Sequence, residues 1–240
     1  MNGERVAVVL GARNLGGAIL DHLIEAGWRG AAVALSDETV ESVRERGAMG
    51  LVADASDPAA LADALERIRG ELGPPRLIVN AVSLSRPTSG SFGGGPIAEA
   101  DVDGFRRWAG MVAEQAFVFL STGIDVLRES RGGTLVQITG GSSRRAMPGR
   151  GLWSAGAQAT RAMVHAAAQE VRDQGIHVAL LVVDATIESP KTETSTRDLP
   201  REALADQRLV AEAVSFLAEQ EPRSYTHELM LTPVGDRWVP

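Results

Sequence analysis

Seven short apolar runs alternate with stretches whose apolar residues recur every three to four positions, and this alternation spans the whole 240-residue chain. The segment "RVAVVLGARNLGGAILDHLIEAGW" opens the series as an apolar strand, a glycine turn and an amphipathic helix. "GAAVALSD" reads as a second buried strand and "ETVESVRERG" as a helix. "MGLVADASD" is a third strand, followed by "PAALADALERIRGELG", a helix with Pro58 in its first turn. "PRLIVNAVS", "GGTLVQITGG", "IHVALLVVDA" and "THELMLTP" supply four more strands, and the long helices beginning near Val102 and Trp153 separate three of them. Strands apolar on both faces must be covered on both, and strands joined through helices run parallel. The pattern therefore predicts one α/β domain over residues 1–240, with a doubly wound parallel sheet of about seven strands.

Charge and composition narrow the partners. A net charge of -7 lacks the surplus of Lys and Arg that phosphate neutralisation requires, which argues against nucleic acid and anionic membranes. With no cysteine there is neither disulfide nor thiolate chemistry, and the four histidines show no ligand spacing, so no metal site is expected. The chain starts "MNGERVAVVLG" without a leader pattern, and no apolar run reads as membrane-spanning, so the expected location is cytoplasmic. Two polar stretches, 83–99 and 188–207, are long enough to border a ligand.

The turn "GARNLGG" sits where the first strand passes into a helix, a place where backbone N–H groups and the helix dipole hold a pyrophosphate. Gly11 and Gly17 bracket it, with Arg13 and Asn14 between them. Asp37 ends the second strand and lies at the distance where a carboxylate accepts hydrogen bonds from ribose hydroxyls. Asp37 and Glu38 would repel a 2'-phosphate, which favours NAD over NADP as cofactor. The competing reading makes Asp37 the N-cap of the next helix.

At this point a resemblance covers nearly the whole chain. "GARNLGG" resembles the G-x-x-x-G-x-G turn of the short-chain dehydrogenases/reductases, "VADASD" their third-strand end and "VNAV" their N-N-A-G. "MPGRG", "IESP" and "THELMLTP" continue the likeness in order. The resemblance implies a Rossmann-type fold and a dinucleotide held by Gly11, Arg13, Asn14, Leu15, Gly17, Asp37, Asp54, Ala55, Asn80 and Ile187. It also implies a dimer or tetramer built on the helices near Val102 and Trp153. Two departures stand inside the pattern. Leu15 occupies the place of the turn's second glycine, with Gly16 beside it, and Val82 replaces a glycine near the adenosine.

The larger departure concerns chemistry. Family members are similar in using a tyrosine as acid–base group, a lysine four residues on that lowers its pKa, a serine and an asparagine. Counting from "MPGRG" puts Trp153 on the tyrosine, Ala157 on the lysine and Gly140 on the serine, while Glu114 falls on the asparagine. An indole N–H only donates, an alanine brings no cation, and a glycine has no hydroxyl. Substitutes within reach of the sequence are Ser142, Ser143, Arg144, Arg145, Arg150 and Gln158, all equally readable as surface-loop or helix residues. Tyr225, the only tyrosine, lies near the last strand and reads as structural. Glu114 and Asp184 are candidates for an acidic pair, with a capping or backbone-bonded carboxylate as the plainer reading. Phe92, Trp108, Met147 and Trp153 offer apolar walls for a ligand, or simply core.

The leading expectation is a family member without its reaction, acting as a binding or non-catalytic subunit paired with itself or with an active relative. The alternatives are an oxidoreductase acting on an alcohol or ketone through atypical groups, a non-redox acid–base enzyme (cyclase, lyase or isomerase) and a dinucleotide-responsive sensor.

Overall fold

The computed structural model describes residues 5–82, 91–190 and 192–236. The first half of the 83–99 loop thus lies outside the described residues. Strands β1 (Val6–Leu10), β2 (Arg29–Ala34), β3 (Met49–Val52), β4 (Pro75–Asn80), β5 (Gly133–Gly140) and β6 (Ile176–Val183) precede a small ladder of β7 (Thr186–Ile187) with β8 (Leu204–Ala205), and β9 (Glu228–Leu231) closes the chain. The main sheet has seven strands in the order β3-β2-β1-β4-β5-β6-β9, and all its pairings are parallel. This is the doubly wound, Rossmann-type sheet that the alternation implies.

The inner strands β1, β2, β4, β5 and β6 are largely buried because they face helices on both sides, while the edge strands β3 and β9 are more open. Helices α1 (Leu15–Glu25), α2 (Asp37–Glu45) and α8 (Gln207–Ala218) cover one face, and Ile19, Leu23, Val43, Val210 and Val214 join Val9, Val79 and Leu181 in its core. On the other face, α3 (Pro58–Leu72), α5 (Met111–Glu129) and α6 (Gly151–Val171) bury Leu65, Phe119, Leu127 and Val164 against Val8, Ile78 and Val178. A short helix α4 (Val102–Phe105) leads through a π turn at Arg106–Gly110 into α5, and α7 (Glu193–Thr196) interrupts the polar 188–207 segment.

The helix from Val102 to Glu129 is long and apolar enough, by length and composition, to cross a bilayer, which corrects the expectation that no apolar run reaches that length. In the fold, its residues Ala116, Phe119, Leu120 and Leu127 are core.

Helix starts fall into two kinds. α2, α3 and α8 are capped by side chains: Ser36 accepts from the Thr39 N–H, Asp57 from Ala60 and Asp206 from Arg208. α1 and α6 begin without a side-chain cap, and both start from turns that follow the carboxyl ends of strands β1 and β5. Their leading N–H groups have no intrahelical partner.

Close packing fixes α6 against the helix beside it. A Cβ on Gly156 would stand 2.7 Å from the Ala109 oxygen and 2.8 Å from the Val112 Cβ. Neither neighbour is the loose end of a flexible chain.

An ion cluster ties α6 to the edge strand. Glu228 on β9 accepts 2.7 Å from Arg161 Nε, lies 2.8 Å from His165 Nε2, and is also bonded by Arg144. Burial pushes the Glu228 carboxyl up, but hydrogen bonds and charge from Arg161 and Arg144 outweigh it and hold the group below its usual value.

Two outcomes follow from this packing. Gly156→Val is expected to lower unfolding free energy by about 2 kcal/mol in urea denaturation, the usual cost of overpacking. Glu228→Gln is expected to cost about 1–3 kcal/mol at pH 7, because charge-assisted bonds are lost and three cationic or protonatable neighbours lose their anion. Since the folded pKa is depressed, this stabilisation is full above the unfolded value and disappears as pH falls through the folded one. The gap between wild type and Glu228→Gln should therefore narrow between roughly pH 5 and pH 3.

Candidate functional site

The strand order reverses between β1 and β4, and the loops leaving these two strands meet at the carboxyl edge of the sheet. Gly11 has φ +83° and donates its N–H to Val33 O at 2.9 Å. Its missing Cβ would lie 2.9 Å from Val82 Cα, so glycine is required here by both conformation and space. A Cβ on Gly16 would overlap the Gly11 carbonyl, and one on Gly17 would meet Ala12 O at 2.9 Å and Arg46 Nη1 at 2.8 Å. The turn thus folds tightly on itself at Gly16. Leu15 begins α1 and packs, half-buried, against the core cluster under that helix. Arg13 is exposed, and Asn14 at the N-cap makes no side-chain capping bond.

At the β2–β3 end the structure corrects the placement of Asp37. β2 stops at Ala34, Ser36 caps α2, and Asp37 is the first residue of the helix rather than the end of the strand. The rival reading, Asp37 as N-cap, also fails, because Ser36 takes that role with Thr39 beside it. Asp37 and Glu38 are exposed, as are Leu35 (65%) and Val52 (49%) nearby. Asp54 closes a local turn, accepting from Ser56 N at 2.8 Å and Ser56 Oγ at 2.6 Å, while Ala55 is buried in the core. Ile187 lies on the β7–β8 ladder.

Asn80, at the end of β4, is fully enclosed and belongs to a buried amide network. Its Nδ2 donates to Gln137 Oε1 at 2.8 Å and to Gln115 Oε1 at 3.1 Å. Its Oδ1 accepts from Gln115 Nε2 and from the Val82 N–H, each at 3.2 Å. Gln115 and Gln137 are residues that the motif reading passed over. Their signal was a lone amide inside otherwise apolar stretches, "VQIT" and "EQAFVF". The network locks three elements under the cleft and leaves Asn80 little capacity for a ligand.

At the chemical end, Gly140 closes β5 with extended backbone, and a Cβ there would find Val183 O at an ordinary 3.8 Å. Gly141 has no such room, because a Cβ would overlap the Asp184 carboxylate. Asp184 is buried and paired with Arg145, whereas Glu114 is exposed on α5, so no acidic pair forms between them. Ser143 is buried and donates to Gly140 O at 2.8 Å. Arg144 is held by Glu228, and Ser142 is half-buried. Ala157 is 1% exposed and Gln158 faces outward.

Trp153 packs in a trio of rings. Its centroid lies 5.5 Å from Phe92 and 5.9 Å from Trp108, and Phe92 and Trp108 are 5.4 Å apart, edge to face. The π turn carries Trp108, and Arg150 lies over Phe92 at 5.1 Å. Gly93 and Gly94 have positive φ, and their missing Cβ atoms would stand 2.9 Å from Arg150 Cα and 2.7 Å from Leu152 Cδ1. The segment after Phe92 is therefore pressed onto the start of α6, where the Trp153 N–H reaches Gly93 O at 3.4 Å. Met147 joins none of these ring contacts; its carbonyl accepts from the Arg150 N–H.

Tyr225 sits at the opposite, amino end of the sheet, stacked on His177 with centroids 4.2 Å apart. Burial raises the Tyr225 hydroxyl above its ordinary pKa and holds the enclosed His177 below its own. Neither side chain belongs to the cleft.

Comparison with known proteins agrees with this architecture. A family model described as short chain dehydrogenase matches residues 5–198. The 3-oxoacyl-[acyl-carrier-protein] reductase FabG of Salmonella typhimurium is 23% identical over 238 residues, 94% of either chain. The "NADPH-dependent aldehyde reductase-like protein, chloroplastic" of Arabidopsis thaliana is 26% identical over 190 residues, covering 72% of this chain and 68% of that one. Among solved structures, an alcohol dehydrogenase from the archaeon Thermococcus sibiricus, complexed with 5-hydroxy-NADP, superposes with a TM-score of 0.80 at 22% identity, covering 99% of this chain and all of that one. With the family model spanning most of its length, the chain belongs to the short chain dehydrogenase family.

Proposed function

We propose that this chain keeps the family's scaffold without its proton-transfer chemistry and acts as a binding or non-catalytic subunit. The observation that carries the reading is Trp153. Its indole cannot accept or release a proton near neutral pH, and it is packed in the ring trio rather than presented beside a cation, since Ala157 supplies none. A positioned acid–base group contributes roughly 100- to 10,000-fold in rate, and groups that act together fail together.

The same scaffold supports a dinucleotide cofactor of the nicotinamide class, which supplies hydride when bound. The residues present fit it in part. Uncapped N–H groups at the start of α1 suit a pyrophosphate, and Leu15 packs against the core beneath that helix. Gly11, Arg13, Asn14, Leu15 and Gly17 would hold the pyrophosphate, and Asp37 the adenosine ribose. Asp54, Ala55 and Ile187 would border the ends, while Asn80 supports the loop through Val82. The relative from Thermococcus sibiricus carries an NADP derivative; here Asp37 and Glu38 favour NAD.

As partner we propose a second copy or an active relative, docked on α5 and α6. Met111 and Phe117 are exposed on α5, and Ala155, Ala162 and Ala166 on α6, which suits close helix pairing in a dimer or tetramer. The net charge of -7 supports a cytoplasmic location without nucleic-acid or anionic-membrane partners.

A second reading, an oxidoreductase with improvised groups, rests on Ser142, whose hydroxyl makes no hydrogen bond among the described residues. The acid–base reading through Glu114 and Asp184 loses its second carboxylate to Arg145. Incubation of the purified protein with NADH or NADPH and a panel of aldehydes, ketones and 3-oxoacyl thioesters separates the first two. The proposal expects turnover at least about 1,000-fold below the roughly 10 s⁻¹ of ordinary enzymes. Ordinary turnover that Ser142→Ala abolishes would replace it with the second reading.

A further inference from the structure

Strands β5 and β6 end side by side, with Gly140 opposite Val183, and the next residues, Gly141 and Asp184, meet at the carboxyl edge of the sheet. Because Gly141 has no Cβ, the Asp184 carboxylate lies against its backbone and pairs with Arg145. The Asp184 side chain is enclosed, 7% exposed, whereas Arg145 keeps 26% of its side chain in solvent. The Arg145 N–H bonds to Gly141 O at 3.1 Å and closes a tight turn that contains Ser142. Residues three apart in such a turn share a face, so Ser142 and Arg145 stand together. Beside them is the open position at Gly140, where a Cβ would meet only Val183 O, at 3.8 Å.

Both side chains have bonding capacity left over. A guanidinium carries five N–H donors. Arg145 uses Nη1 on Asp184 and makes no other side-chain hydrogen bond among the described residues, and none of its nitrogens is a buried atom without a partner. The Ser142 hydroxyl also makes no hydrogen bond among them. The adjacent cation differs, because Arg144 is turned to Glu228 together with Arg161. Anchoring on an enclosed carboxylate aims the Arg145 fork before any ligand arrives, which lowers the ordering cost of binding.

We infer that this corner receives the carboxylate of a small monoanionic ligand. The Arg145 fork donates to it in a planar, paired arrangement, and the Ser142 hydroxyl adds a further bond. One negative charge is the limit, because Asp184 already offsets the guanidinium and repels a dianion. The inference goes beyond the binding-subunit reading, since it requires neither a dinucleotide nor a partner chain. Ordinary turnover would remove that reading and leave this one, and lack of carboxylate binding would do the reverse.

NMR titration of the intact, isotope-labelled protein with acetate tests the site, with acetamide as the uncharged probe and inorganic phosphate as a dianion at about pH 8. The expected result is saturable movement of the Arg145 Nε–H signal and of the backbone amides of 140–145 with acetate, and binding at least about tenfold weaker for acetamide and phosphate. Arg223, exposed in the turn before β9, should stay still. Arg145→Lys keeps a charge for Asp184 but removes the fork, and should weaken acetate about tenfold. Asp184→Asn removes the repelling charge and should let phosphate bind at least as well as acetate. Equal binding of acetate and acetamide, equal movement at Arg223, or wild-type acetate affinity in Arg145→Lys would overturn the inference. Phosphate binding as tightly as acetate to the wild type, or a preference for acetate unchanged by Asp184→Asn, would overturn the assignment to a monoanion.

Discussion

The seam between β1 and β4 is the constraint on which the rest of the molecule depends. These adjacent parallel strands are followed by helices on opposite faces of the sheet, α1 on one and α5 on the other, and Gly11 meets Val82 at the crevice between them. The seam closes only because Gly11 presents no side chain to Val82 and because Asn80 ties the Val82 N–H to Gln115 and Gln137. One contact is steric and the other polar, and both act on the same dipeptide. Helix α1 can point its uncapped start at the crevice once that dipeptide is held.

Across the cleft from this seam, the β5–α6 end is packed with aromatic rings. The ring of Trp153 is packed by neighbours from two distant segments, Phe92 and Trp108. The π turn matters here, because an inserted residue rotates the helix and aims Trp108 inward. A tyrosine placed at position 153 would find no cation at Ala157 and no hydroxyl at Gly140, although Gly140 has space for a side chain. On the proposed reading, the missing groups are spread over several positions rather than confined to one.

The strands and most helices were legible because continuous apolar runs and three-to-four spacing report burial directly. Asp37 was misplaced for a physical reason. Leu35 prolongs the apolar run of β2 in the sequence, yet it is exposed and the strand has already ended, while Ser36 has the better capping geometry. The π turn was hidden because a helix apolar over most of its circumference gives no phase from which a one-residue shift can be read. Asn80 was recognised by motif, but its amide partners lie 35 and 57 residues away, and Gln115 and Gln137 carry no local mark of pairing. The ring trio was readable only as separate aromatics. That Trp153, Trp108 and Phe92 meet is a tertiary fact.

A crystal structure of the protein grown with NADH addresses the central claim most directly, namely that a hydride-carrying scaffold persists without groups to move the accompanying proton. The account expects density for the ADP moiety between the Gly11–Gly17 turn and Asp37, with Trp153 still packed against Phe92 and Trp108. An ionisable hydroxyl from any part of the chain, seated within hydrogen-bond distance of both the nicotinamide ring and a bound alcohol, would contradict it.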